Sequence, residues 1–127
     1  MGAAESINRA LNTFFNGFGI PGYLEDNIPP GAELPYLTYQ PTIPGGWNKS
    51  TTFHARLWYP SKGGRTQILQ VEDTISEALP RGGLTIKCEG GAILLDKDDD
   101  TWAQPLNNSP EGYLCEYLIF ELTRFIP

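Results

Sequence analysis

Apolar and polar residues alternate most regularly between residues 50 and 59, and this pattern predicts a β-strand. A period of two places successive side chains on opposite faces of a sheet. One face would therefore meet the core, while the other stays polar or meets a partner. The apolar face comprises Phe53, Ala55, Leu57 and Tyr59, and the opposite face comprises Thr52, His54, Arg56 and Trp58.

Two other segments, residues 4–18 and residues 66–79, repeat apolar residues at the spacing of an amphipathic helix. Gly17 and Gly19 lie at the end of the first segment, as is typical of helix C-termini. We expect the aromatic side chains of this segment to form the packing face of the helix. The apolar positions are Ala4, Ile7, Leu11, Phe14, Phe15 and Phe18 in the first helix and Ile68, Val71, Ile75 and Leu79 in the second.

Shorter patterns predict the elements between and after the helices. Residues 34–41 are rich in residues that favour strands, and the proline and paired glycines of residues 42–49 indicate a loop. Residues 83–96 alternate on either side of a Gly-Gly turn and predict a hairpin. Residues 102–104 could form a further short strand of the sheet, and this alternative stays open.

The last predicted strand, residues 113–125, is apolar on both faces. Such a strand belongs in the middle of a sheet that is covered on both sides, or one of its faces is covered by another subunit. Two helices are few for covering both faces of a sheet, so a subunit partner is one of the two expectations. Leu114, Leu118, Phe120 and Leu122 form one face, and Tyr113, Cys115, Tyr117 and Ile119 form the other.

Together these patterns predict a single α+β domain over residues 1–127. Its sheet would be mostly antiparallel, with about four to five strands and with both helices packed on one face. Hydrophobic residues make up 40% of the 127 residues, which is enough to bury a core and excludes a disordered tail protein.

Charge and cysteine content narrow the functional classes. The chain has 15 acidic and 9 basic residues, a net charge of -6, which argues against a surface that holds nucleic acid. Apolar runs stay shorter than the ~18–20 residues of a membrane span, so no membrane association is expected. Cys88 and Cys115 are expected to be reduced, inert thiols in a cytosolic-type setting, with a disulfide as the alternative.

His54 is the one histidine and the one candidate for acid–base catalysis. A catalytic role would require a cysteine thiol, a serine hydroxyl or a carboxylate within hydrogen-bond reach of it. The sequence contains no G-x-S-x-G motif, so we expect a surface or interface role for His54 and no enzyme activity, cofactor or metal.

The acidic run at the end of the predicted hairpin has one feature of a calcium loop. Asp96, Asp98 and Asp100 have its one-three-five spacing, but Thr101 stands at the position of the turn glycine and Asn107 at that of the closing glutamate. An acidic hairpin tip is therefore favoured over a weak cation site.

Exposed tryptophans are typical of protein interfaces, although each could instead pack on its own core. Trp47 lies in the predicted loop, which we expect to reach a neighbouring subunit, and Trp58 lies on the polar face of its strand. The predicted interface residues are Trp47, Asn48, Lys49, His54, Arg56 and Trp58.

The order of these elements resembles that of the tail terminator and minor tail (head–tail joining) proteins of long-tailed bacteriophages. The resemblance covers nearly the whole chain. It rests on an N-terminal helix with a proline-rich connection, an aromatic strand, a second helix, a hairpin and a final strand. The matching segments are residues 7–18, 34–39, 52–59, 66–79 and 121–125.

This resemblance implies a structural protein of the virion, made in the host bacterial cytoplasm. It would form a ring, usually a hexamer, at the head-proximal end of the tail tube, where it ends tube growth. Its partners would be the tail tube protein and a head-completion or neck protein, and DNA would pass through the lumen without specific binding. The acidic loop, with Asp96, Asp98, Asp99 and Asp100, could then face the lumen.

Three other functions are weighed against the tail terminator. One is a head-completion, neck or tail-tube subunit, which has a similar size and make-up. The others are a small cytosolic enzyme that uses His54 and a monomeric binding module.

Overall fold

Two long strands, β3 (Lys49–Pro60) and β7 (Tyr113–Phe125), form the centre of the computed structural model, which describes residues 2–40, 42–98, 101–105 and 113–126. They are antiparallel and paired over their whole length, from Lys49 opposite Arg124 to Pro60 opposite Tyr113. The other elements are α1 (Ala3–Phe15), β1 (Gly22–Leu24), β2 (Tyr36–Tyr39), α2 (Gly64–Ala78), β4 (Leu84–Cys88), β5 (Gly91–Lys97) and β6 (Ala103–Pro105).

Within the described residues, the strands form one sheet in the order β1-β2-β3-β7-β5-β4, with β6 also beside β7. All neighbours are antiparallel except β1 and β2, which are parallel. The edge of β7 away from β3 is shared by two strands, because β5 pairs with its C-terminal part and β6 with residues 116–118. The final strand is therefore central in the sheet.

Both helices pack on the same face of this sheet. Phe15 of α1 stacks on Tyr39 with ring centroids 4.8 Å apart and meets Phe53 and Phe120 edge-on. The buried residues of α2 join the same cluster because they repeat at helical spacing. The core side chains of the central strands are Phe53, Ala55, Leu57 and Tyr59 from β3 and Leu118, Phe120 and Leu122 from β7.

The predicted α+β class, with a mostly antiparallel sheet and two helices, is confirmed. The expected number of about four to five strands is wrong, since the described residues contain seven. The strand missing from the prediction is β1, whereas β6 overlaps residues 102–104, for which a return to the sheet was an open alternative. Each has three residues, which is too short for a period of two to be recognised. A Cβ at Gly22, where β1 begins, would lie 2.8 Å from the carbonyl oxygen of Phe15, so this strand depends on close packing against α1.

The helix predicted for residues 4–18 ends three residues early. The Asn16 side chain donates hydrogen bonds to the carbonyl oxygens of Asn12 and Gly22 and accepts one from the Gly22 amide at 2.9 Å. These bonds turn the chain from α1 towards β1, while Phe18 still packs on the core cluster.

The second helix begins two residues before the predicted residues 66–79, directly after Gly63, which has a φ of 77°. The strand predicted for residues 34–41 is shorter at both ends, and Pro41 lies outside the described residues. β3 extends one residue into the predicted loop 42–49 and one beyond the predicted strand 50–59. The hairpin of residues 83–96 corresponds to β4 and β5, and β7 spans the predicted residues 113–125.

Leu118→Asp is expected to prevent cooperative folding. Leu118 is fully buried between Ala55 of β3 and Ala103 of β6, so an aspartate there would place a charge where no polar group compensates it. We expect a loss of more than about 3 kcal/mol in the free energy of unfolding, measured by urea denaturation. Leu69→Asp, at a position of α2 that is 49% exposed, is the matched control and should change the stability little. A Leu118→Asp protein with the stability of this control would contradict the prediction.

Candidate interaction surface

The sheet face opposite the helices carries three of the six predicted interface residues. Because side chains alternate along each strand, the residues of β3 and β7 that do not meet the helices all point to this second face, called the helix-free face below. His54, Arg56 and Trp58 lie in one row on β3, as the sequence predicts. The helix-free face comprises Tyr23, Tyr36, Thr38, Thr52, His54, Arg56, Trp58, Tyr113, Cys115, Tyr117, Ile119 and Glu121.

Aromatic side chains cover one end of the helix-free face. The Trp58 indole donates a hydrogen bond to the Thr38 hydroxyl at 3.0 Å, and its ring lies 6.3 Å from that of Tyr113. Tyr23 and Tyr36 form a second pair at 5.8 Å. Burial raises the pKa of Tyr36, and the neighbouring Tyr113 and Tyr23 raise it further, so the hydroxyl stays neutral. This end of the face is therefore an uncharged aromatic surface.

His54 contacts a carboxylate from a neighbouring part of the fold. Its Nε2 lies 3.1 Å from Oε2 of Glu25, just after β1, and its ring lies 4.7 Å from the ring of Tyr117. His54 and Tyr117 border an open depression of about 390 Å³. His54 therefore has a carboxylate within hydrogen-bond reach, which is one part of what a catalytic histidine requires.

A nucleophile beside His54 is not found among the described residues. Cys115 lies opposite Trp58, four residues along β3 from His54, which corresponds to roughly 13 Å. Burial raises the pKa of Cys115 to about 11, so its thiol is protonated and inert. Burial also raises the pKa of Cys88, and the two cysteines are not bonded to each other. Among the described residues, His54 therefore contacts a carboxylate but has no nucleophile beside it.

Arg56 is the cation at the centre of the helix-free face. Its guanidinium carbon lies 5.7 Å from the centroid of the Tyr117 ring, and its Nε is buried without a hydrogen-bond partner. It forms no ion pair with any carboxylate of the described residues. A buried donor that lacks an acceptor costs free energy, so this group favours binding an external acceptor.

The other predicted interface residues, Trp47, Asn48 and Lys49, lie at the opposite end of β3. The Asn48 amide donates to the carbonyl oxygen of Arg124 with φ at 61°, and Lys49 is exposed. The Trp47 ring lies 4.1 Å from the guanidinium carbon of Arg124 and packs so closely on Gly91 that a Cβ there would clash. Trp47 thus packs partly on its own chain, and a contact with a neighbouring subunit stays a prediction.

The acidic loop is described only in part, because Asp99 and Asp100 lie outside the described residues. The Asp98 amide donates to the carbonyl oxygen of Ile119 at 3.0 Å, and Oδ1 of Asp96 accepts a bond from the Lys97 amide at 2.8 Å. Asp96 and Asp98 therefore flank β7 on the side away from β3. Within the described part of the chain, no group of three or more histidine, cysteine or acidic residues could hold a metal ion.

The sequence did not predict an ion pair on the helix side that joins a buried carboxylate to an exposed arginine. Glu116 occupies a core position of β7, is 3% exposed, and accepts a hydrogen bond from Arg65 of α2 at 2.9 Å. Glu72, two turns further along α2, has one carboxylate oxygen buried without a hydrogen-bond partner. The alternation of β7 could have predicted the burial of Glu116, because this residue falls between Leu114 and Leu118 on the apolar face.

Comparisons with known proteins bear on the fold. No family model matches the sequence, and no curated protein matches it. One solved structure, whose name states no function, has a TM-score of 0.63 over 97% of this chain and 94% of that chain, at 13% identity. A likeness at this identity shows the fold alone. Among the described residues, no helix is long and apolar enough to cross a membrane.

Stability is expected to fall with rising pH because of Glu72. Burial, together with the charges of Glu116 and Asp73, raises the pKa of Glu72 from 4.5 to about 7, against the lowering effect of Arg65. The folded state therefore binds a proton more tightly than the unfolded state. The free energy of unfolding decreases between these two pKa values and levels off above the higher one.

Glu72→Gln should weaken this pH dependence. Denaturation in urea at about pH 5 and about pH 8 should show a smaller loss of stability in the variant than in the wild type. Some dependence should remain, because burial also raises the pKa of Glu116. Glu77→Gln, at an exposed position of α2, is the control and should behave as the wild type does. Equal pH dependence in Glu72→Gln and wild type would contradict this assignment.

Proposed function

We propose that this chain is a structural subunit of the tail of a long-tailed bacteriophage, a tail terminator. It would form a ring, as a hexamer, at the head-proximal end of the tail tube, end tube growth and join the tube to the head connector. The observation that carries the proposal is the helix-free face, where the two central strands of the sheet remain uncovered by either helix.

The chemistry of that face supports a protein partner. Large exposed apolar patches mark interaction sites, and tyrosine, tryptophan and arginine are enriched where proteins bind each other. The helix-free face presents Trp58 and four tyrosines around Arg56, all at least partly accessible. Packing a second subunit on this face would give the long strands β3 and β7 a cover on both sides.

The order of elements supports the more specific assignment. The resemblance to tail terminators rests on a helix, a proline-rich connection, an aromatic strand, a helix, a hairpin and a final strand. The described elements follow that order from α1 to β7. The solved structure of similar fold supports no function, because its name states none.

The net negative charge of the chain is consistent with a channel through which DNA passes without binding. A net charge of -6 repels phosphates, so a ring of such subunits would carry a lumen with little affinity for DNA. Its other partners would be the tail tube protein on one side and a head-completion or neck protein on the other. The proposed location is the head–tail junction of the virion.

Three alternatives to this proposal remain. A head-completion, neck or tail-tube subunit could use the same helix-free face. A small enzyme is favoured only by the contact of His54 with Glu25, since the nearest cysteine is roughly 13 Å away along the strand. A monomeric binding module would leave the helix-free face for a different protein.

Mass and tube growth together test the proposal. Light scattering over a concentration series should show assemblies near six subunits, and negative-stain images should show rings. When the protein is added to polymerising tail tube protein, tubes should stop at shorter lengths, because a terminator occupies the growing end. Rings that leave tube length unchanged would favour a neck subunit, and a monomer that also leaves tube length unchanged would contradict the proposal.

A further inference from the structure

Arg56 carries a positive charge that no carboxylate of the described residues pairs with. Its Nε is buried and unpartnered, and the Tyr117 ring lies 5.7 Å from its guanidinium carbon. The carboxylate of Glu25, which reaches the same row of β3, is engaged by His54 at 3.1 Å. Because the planar fork of N–H donors of an arginine matches two oxygens, Arg56 favours binding a carboxylate from outside its own chain.

The helix-free face also carries two neighbouring carboxylates. Glu121 of β7 lies directly opposite Asp96 of β5, and the alternation of side chains places both on the same face as Arg56. Like charges that face each other across a sheet are destabilising. Neither carboxylate forms an ion pair within the described residues. A guanidinium that binds at this position would therefore relieve the repulsion between them.

The cation and the carboxylates do not meet within one chain. Arg56 lies opposite Tyr117, and Glu121 is four residues further along β7, which corresponds to roughly 13 Å. A face that carries a cation and its acceptor at two separate positions is complementary to itself. When a two-fold axis relates two such faces, the cation of each copy meets the acceptor of the other, so both contacts form together.

We infer that two copies of this chain pack helix-free face to helix-free face about a two-fold axis, with Arg56 of each bound to Glu121 of the other. The axis passes through the row of His54 and Ile119, because this row lies midway between Arg56 and Glu121 along the paired strands. Aromatic side chains beside Arg56 exclude water from the ion pair and strengthen it. The inference goes beyond the proposed function, since a two-fold contact joins subunits in pairs and a ring needs further contacts on other surfaces.

Charge reversal on each side of the contact tests the inference. In light scattering over a concentration series, R56E and E121K should each need about tenfold or more protein for the step from one subunit to two, because each places like charges at both contacts. R9E and E77K, at exposed positions of α1 and α2, change the net charge equally and should dimerise as the wild type does. R56Q and E121Q, which only neutralise the charges, serve if a reversed variant fails to fold by circular dichroism.

Mixing the two reversed proteins separates a specific contact from a general effect of charge. In an R56E–E121K pair, the new glutamate meets the new lysine at one contact, and the unchanged arginine and glutamate meet at the other. Native mass spectrometry of an equimolar mixture should therefore show mixed dimers, while each protein alone stays monomeric. A mixture that stays monomeric, R56E or E121K that dimerises as the wild type does, or a wild-type protein that is monomeric at every concentration would each overturn the inference.

A cysteine on the axis tests the two-fold symmetry itself. Only a residue near the axis faces its own equivalent in the other copy, so I119C should form a disulfide-linked dimer on mild oxidation with diamide. The wild type, whose own cysteines remain, and T66C, at an exposed position of α2, are the controls and should stay monomeric on a non-reducing gel. Cross-linking of I119C no faster than of T66C would overturn the position of the axis and with it the contact.

Negative-stain images separate this inference from the proposed function. Rings formed equally by the wild type, R56E and E121K would leave the tail-terminator proposal standing and overturn the two-fold contact. Wild-type dimers that require Arg56 and Glu121, but that never form rings or limit tube length, would confirm the contact and contradict the terminator assignment.

Discussion

The pairing of β3 with β7 is the interaction on which the rest of the structure depends. Twelve residues of β3 lie opposite twelve of β7, and the two strands keep the same alternation over this length. One side of the pair therefore forms a continuous apolar surface, on which both helices pack. The other side becomes the helix-free face. A shift of one residue in this register would exchange the two faces, so the register determines both the core and the proposed interface.

Glu116 places a charge in this otherwise apolar surface. Its carboxylate is buried beside Leu114 and Leu118 and is satisfied by Arg65, which α2 supplies from its first turn. An ion pair with one exposed partner contributes little net stability, but a buried carboxylate left without its cation is costly. We therefore expect α2 to be held in position along β7 by this ion pair as well as by its apolar side chains. Glu72 adds a second carboxylate, whose raised pKa is expected to make the stability of this region depend on pH.

Elements with a clear period could be predicted from the sequence, and those fixed by tertiary contacts could not. The alternation of residues 50–59 and the two helical repeats contain enough residues to identify a strand and two helices. β1 has only three residues and forms because Gly22 packs on α1 and pairs with β2, contacts that no local pattern encodes. The early end of α1 has a similar cause, since Asn16 bonds to Gly22 from outside the helix.

The candidate surface shows the same division. The row of His54, Arg56 and Trp58 follows from a period of two, so the sequence places these residues on one face. Their partners could not be predicted, because Glu25, Tyr117 and Thr38 come from other parts of the chain and meet them only in the folded sheet. The burial of Glu116 was not predicted, because an acidic residue in an apolar strand is rarely expected to be buried. Its position on the apolar face of the strand nevertheless indicated it.

The unequal neighbours of β7 have a consequence for local opening of the fold. On one side β7 is bonded to β3 from Tyr113 to Arg124. On the other side, β5 pairs with the C-terminal part of β7 and β6 pairs with only residues 116–118. Because β6 has just three residues, its separation from β7 breaks few hydrogen bonds and leaves the β3 ladder intact. Amide groups of β7 that face β6 should therefore exchange with solvent deuterium long before those that face β3, so one strand would carry two different levels of protection.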